Sequence, residues 1–155
     1  MENKFANSIL AGFVATIVMT IIIFMAPMMG MPKMNIPQML SGMLGVSIIV
    51  GWIMHFMIGL IFAFGYVYLF NPGVHIESKV WKGLLYGIVV LIIAIIMMFL
   101  MTRMMPPPPA FMSNNMALMI MGALIGHLVY GLMVGLMVPL DMASGKKVSH
   151  GFQAS

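Results

Sequence analysis

Four uninterrupted apolar runs decide most of what this chain can fold into: about Ser8 to Met25, Val46 to Phe70, Val80 to Met104 and Met116 to Val138. A bilayer core of about 30 Å is crossed by about 20 residues of helix, so each run is long enough to span it. Inside lipid every backbone group must be paired within the structure, which leaves helices or a closed barrel. Runs of this length without period-two alternation specify helices. The charge count agrees: 7 Lys+Arg and 3 Asp+Glu among 155 residues, where a soluble domain would carry about a quarter charged. With 63% hydrophobic residues and a mean hydropathy of +1.12, the chain reads as an integral membrane protein. It has no Cys, which removes disulfides, thiolate metal sites and cysteine nucleophiles.

Each run has a stop signal. Pro27, the Asn71-Pro72-Gly73 turn, the run Pro106 to Pro109 and Pro139 close the four in order. Ser113, Asn114 and Asn115 offer N-caps before the last. The first run follows Lys4 as a secretion signal would, but it lacks a small-x-small cleavage site and reads as a retained span. Residues 1–140 form one transmembrane domain and 141–155 a short polar tail. Lys4, Lys79, Lys82, Lys146 and Lys147 lie on one side of the predicted spans, and only Lys33 and Arg103 on the other. The positive-inside rule then puts both termini in the cytoplasm and the Met-rich loops outside. All the charges are read as lying at or beyond the span ends. The basic balance therefore follows from topology, and no nucleic-acid partner is expected.

The chain also repeats itself. Displaced by 75 residues, Lys4, Leu10, Gly12, Val14, Ile17 and Phe24 fall on Lys79, Leu85, Gly87, Val89, Ile92 and Phe99. Displaced by 72, Ile53, His55, Gly59 and Leu60 fall on Ile125, His127, Gly131 and Leu132. Two spans per repeat preserve orientation, so the expected fold is an all-α bundle of four transmembrane helices. It is built from two tandem helical hairpins with pseudo-twofold symmetry along the membrane normal. Small residues recur every four positions, as in Ser8, Gly12, Thr16 and Thr20, or Gly51, His55, Gly59 and Ala63. Gly83 with Gly87, and Ala123, His127, Gly131 and Gly135, do the same in the later spans. Such rows let helix backbones approach closely, so the bundle should be compact and without a wide pore.

His55 and His127 are the candidate site. They are expected within the spans, at similar depth on facing helices, and kept neutral by desolvation. Each then has one donor nitrogen and one acceptor or ligand nitrogen. Three readings stay open. In the first, the imidazoles lock the halves together through hydrogen bonds to each other, a carbonyl or a water. In the second, they are axial ligands of a haem b, with Gly51, Gly59 and Gly131 lining the macrocycle and Arg103 and Lys33 meeting its propionates. Against that, glycines that let helices close up leave no room for a porphyrin. The third reading comes from the 23 Met residues, of which seven lie between Met25 and Met43 and nine between Met97 and Met121. Thioethers suit Cu(I), and MAPMMGMPKM and MTRMMPPPPAFM resemble methionine clusters of extracytoplasmic copper proteins. The candidate metal ligands are Met28, Met29, Met31, Met34, Met104 and Met105, against the plainer reading of Met as a flexible gap-filler.

His75 and His150 read as solvated side chains, Trp52 and Trp81 as interfacial anchors, and the four prolines as a stiff connector. Glu2, Glu77 and Asp141 are the only acids. Nothing supplies a membrane-embedded proton relay, a hydrolytic base, a Ser/His/Asp constellation, a P-loop or a dinucleotide fingerprint. An enzyme is not expected.

The segments GWIMHFMIG (Gly51 to Gly59) and GHLVYGLMVG (Gly126 to Gly135), with MAPMMGMPKM before them, resemble a group of uncharacterised small bacterial membrane proteins with four predicted helices. The resemblance covers most of residues 5 to 140. It implies the architecture and a bacterial plasma membrane and brings no activity. The expectation is a non-enzymatic membrane protein, an accessory subunit of a larger complex or a homo-oligomer, with the paired histidines as an intramembrane polar or cofactor site. Cu(I) handling and haem b electron transfer are the alternatives.

Overall fold

Asparagine and serine side chains begin the helices, as their short acceptors should. The computed structural model describes residues 3–105 and 116–140. Asn3 accepts from the amides of Phe5 and Ala6 at 3.1 and 3.3 Å, and the first helix, Lys4–Met25, follows. It ends in a 3-10 turn, Ala26–Met29, that carries Pro27 and is closed by Gly30 with a left-handed φ of 83°. Ser47 caps Ile48–Gly65 by accepting from Val50, and Ser78 caps Lys79–Met104 by accepting from Trp81. The last helix is Met116–Met137. All elements among the described residues are helical, and four of them are long and apolar enough to cross a membrane. The four-proline run, the Ser113 to Asn115 caps and the polar tail with Asp141 and His150 lie outside the described residues.

Two local features depart from the expected pattern. The methionine-rich connection after the first span contains a helix of its own, Ile36–Leu44, capped by Asn35, whose side chain accepts from Gln38 at 3.0 Å. Ile36, Met39, Leu40 and Met43 recur at helical spacing, and Met39, Leu40 and Met43 are buried against Met54, Met98 and Met101 of the second and third spans. The second span does not stop at Phe70. After Gly65 it widens into a π-turn, Tyr66–Phe70, and winds on through Asn71–Gly73. The Tyr86 hydroxyl on the third span donates to the Phe62 carbonyl one turn before the widening, at 2.5 Å.

The first span packs between the second and the fourth, the third lies along the fourth, and the short helix lies on the second. The small-residue rows form the contacts. A Cβ on Gly12 would come within 2.8 Å of Ala63 Cβ, and one on Gly135 within 2.6 Å of Gly83 Cα. One on Gly131 would overlap the Gly83 carbonyl oxygen and the Gly87 amide nitrogen. The third and fourth spans therefore touch backbone to backbone, the geometry that small residues permit where no hydrophobic effect draws helices together. Ala11, Ala15, Tyr66, Val67, Tyr86, Val90, Tyr130 and Val134 fill the core between them. The outer surface is apolar: only 22% of the central stretch of the third span is buried, and Ile92, Ile95, Ile96 and Phe99 are exposed along it. A face of that kind suits lipid as solvent.

One charge is not where it was expected. Lys82 lies one turn inside the third helix, 3% exposed, with Nζ donating to the Asn71 carbonyl at 2.8 Å. The ammonium folds back onto the carbonyl end of the second span, where a helix terminus carries partial negative charge.

A candidate intramembrane histidine site

His55 is 6% exposed, and its Nε2 lies 3.0 Å from Thr20 Oγ1 on the first span. Thr20 has one hydroxyl proton, which goes to the Thr16 carbonyl at 2.6 Å, a bond helical threonines make to the preceding turn. The oxygen must then accept from the imidazole. Nε2 of His55 carries the proton, and Nδ1 keeps a lone pair. His127 is the mirror case: its Nδ1 is 2.7 Å from the Ala123 carbonyl, which can only accept. Nδ1 carries the proton there, and Nε2 keeps the lone pair. These tautomers follow from the hydrogen-bond network.

The histidines do not hydrogen-bond each other. They flank one stretch of the first span: His55 meets it at Thr20, while a Cβ on Gly126, the neighbour of His127, would lie 2.9 Å from Ile23 Cδ1 and 3.4 Å from Met19 Cε. One turn further along, the second and fourth spans meet directly where the Tyr130 hydroxyl donates to the Gly59 carbonyl at 2.5 Å. Trp52 and Phe56 set aromatic edges beside His55, with ring centroids 6.3 and 6.0 Å away. Among the described residues no His, Cys, Asp or Glu groups gather in threes to hold a metal.

The glycines expected to line a cofactor are filled by neighbouring helices. Gly51 faces the Pro37 carbonyl and Ser41 of the short helix, Gly59 faces Thr16, and Gly131 faces Gly83 and Gly87. Together with the Tyr130 to Gly59 contact, these closures fill the places assigned to a macrocycle at Gly51, Gly59 and Gly131, and those glycines do not fit the lining of a haem.

The six candidate methionine ligands separate. Met28, Met29 and Met104 are exposed, and Met105 is half-buried. Met31 and Met34 come together: their sulfurs lie 4.0 and 3.6 Å from the point a Gly122 Cβ would occupy, one helical turn from Gly126. Met119, a turn on the other side of Gly122, is buried. Sequence reasoning missed Thr20 as the partner of His55, and the thioether group of Met39, Met43, Met54, Met98 and Met101. The spacing of Met39 and Met43, and of Met98 and Met101, was the available signal for that group. Trp81 is exposed beside the span end, as an interfacial anchor should be, whereas Trp52 is half-buried against Phe24 and Phe56.

Four apolar helices with lipid-suited outer faces, closed on one another by small residues, make this a multi-pass α-helical membrane protein. The chain belongs to the family of unknown function DUF6789, whose family model matches residues 2–146. No curated protein and no solved structure matches it.

Proposed function

We propose that the protein is a small, non-enzymatic integral membrane protein that serves as an accessory subunit of a larger complex in a bacterial plasma membrane, with the histidine pair as its working part. The observation that carries this is the hydrogen bonding of the pair. Each imidazole has one nitrogen fixed by a neutral partner and one lone-pair nitrogen, Nδ1 of His55 and Nε2 of His127, without a second hydrogen bond among the described residues. Two neutral ligand nitrogens on either side of one helical turn suit a polar contact or a soft ligand. They do not suit acid-base turnover, for which the membrane-embedded segments offer no carboxylate. The lysine distribution supports cytoplasmic termini. The 72- and 75-residue displacements support two hairpins with the histidines as equivalents.

Cu(I) handling is the second reading, and the convergence of Met31 and Met34 at Gly122 favours it. Two thioethers one turn from the histidine level would offer a soft entry site. One experiment addresses both. The full chain is affinity-purified from its native membrane in mild detergent, as wild type, as His55→Ala/His127→Ala and as Met31→Leu/Met34→Leu, and analysed for protein partners and Cu(I) stoichiometry. A stoichiometric membrane partner whose recovery falls in the histidine variant supports the first reading. Recovery of the chain alone in every variant removes it. Bound Cu(I) lost in the methionine variant supports the second, and unchanged stoichiometry ends it.

A further inference from the structure

Lys82 carries a buried ammonium at the start of the third span. Among the described residues it makes no ion pair, and one of its three protons goes to the Asn71 carbonyl. A buried charge without a partner is costly in any low-dielectric setting, and near a bilayer it marks a site. Lys82 borders a cavity of about 350 Å³ between the end of the second span, the connection to the third and the end of the fourth. Asn71, His75, Glu77 and Leu140 are the other walls that matter. Asn71 is 1% exposed; its Nδ2 donates to the Pro139 carbonyl at 3.3 Å, and its buried Oδ1 has no hydrogen-bond partner among the described residues. The cavity is thus lined by a buried cation, Lys82, and an exposed acid, Glu77. Val80 and Trp81, just before Lys82 in sequence, are exposed on the third span.

We propose that this cavity binds a phosphoamine headgroup, its phosphate on Lys82 and its primary ammonium on Glu77. The cation and the carboxylate on one cavity match that zwitterion in sign and in order, from buried wall to open rim. A purely anionic ligand would meet Glu77, and a purely cationic one would meet Lys82. Phosphatidylethanolamine and soluble phosphoethanolamine both carry this chemistry.

The test uses the full chain, delipidated in detergent and then offered phosphatidylethanolamine, phosphatidylcholine or phosphatidylglycerol, with retained lipid read by native mass spectrometry. Phosphatidylethanolamine should be retained about tenfold over phosphatidylcholine, whose quaternary ammonium has no N–H to give, and over the anionic lipid. Lys82→Gln, which removes the partner of the phosphate, should lower phosphatidylethanolamine retention about tenfold, and Lys82→Arg should keep part of it. Glu77→Gln, at an exposed position, should fold and should lose discrimination against phosphatidylglycerol. Competition by free phosphoethanolamine identifies a soluble ligand of the same site, and retention of lipid against it identifies a membrane lipid. Equal retention of the three lipids by wild type together with no effect of free phosphoethanolamine overturns the proposal. So does phosphatidylethanolamine retention unchanged in Lys82→Gln. Asp141 follows Leu140 in sequence and lies outside the described residues; Asp141→Asn should bind as wild type does. A preference that disappears in Asp141→Asn would assign the headgroup's ammonium to the wrong carboxylate and overturn the proposal as stated.

Discussion

Thr20 shows how one hydroxyl sets the chemistry of a neighbouring ring. It gives its proton to the Thr16 carbonyl and takes one from His55 Nε2, so the imidazole is held in a single tautomer. Thr20→Val keeps the shape and removes the acceptor, leaving a buried N–H unpaired. Stability should fall by roughly 0.6 to 2 kcal/mol, the range for hydrogen bonds between membrane helices. Thr20→Ser should retain most of it. Thermal unfolding in detergent measures both, and a valine variant that melts with wild type would contradict the assigned bond. The histidines were legible in the sequence because an ionisable group in an apolar run stands out. Their partners were not. Thr20 looks like one more small residue in a packing row, and the Ala123 carbonyl belongs to the backbone, which carries no sequence mark. Lys82 misled for a similar reason: its distance from the run boundary says nothing about whether a flexible stem turns toward water or folds back onto Asn71.

Among the helices, length and hydropathy made the spans readable, and stop signals placed most of their ends within a few residues. The small-residue rows were readable too, because spacing four is the period of one helix face; the rows of the first three spans are buried, whereas in the fourth Ala123 and His127 are half-buried and Gly122 and Gly126 beside them are buried. What stayed hidden was helix without length. Ile36–Leu44 has only nine residues, and Pro37 at its start disguises a helical first turn as a loop. The π-turn at Tyr66–Phe70 has no marker at all. The rows yield a sharp prediction at the seam of the third and fourth spans. A methyl added at Gly131 meets the backbone of Gly83 and Gly87, which no rotamer change can relieve. Gly131→Ala should cost about 1 to 3 kcal/mol. Gly73→Ala, with nothing within 4 Å of its added carbon, should stay within about 0.5 kcal/mol of wild type. Denaturation of the two variants side by side in one detergent is the check, and equal losses would sink the seam.

For the molecule as a whole, orientation can be tested cleanly because the chain has no cysteine to label in the background. Single cysteines at Lys33 and Glu77 belong to loops at opposite ends of the bundle. In intact cells an impermeant maleimide should label Lys33→Cys and spare Glu77→Cys until the membrane is opened; the reverse pattern would invert the orientation inferred from the lysines. The two ends also differ in kind. One carries thioethers and the short helix, and the other carries Lys82 and its cavity, with the histidine pair between them. A sequence with so few charges allows this division of labour because nothing in the spans competes with those few polar groups.

The backbone-to-backbone seam along Gly83, Gly87, Gly131 and Gly135 has a mechanical meaning. Helices that meet through side chains can slide by exchanging rotamers, but helices that meet through their peptide planes have no such gearing. The third and fourth spans must travel as one rigid body. The overwide turn at Tyr66–Phe70 lies outside that pair, in the second span.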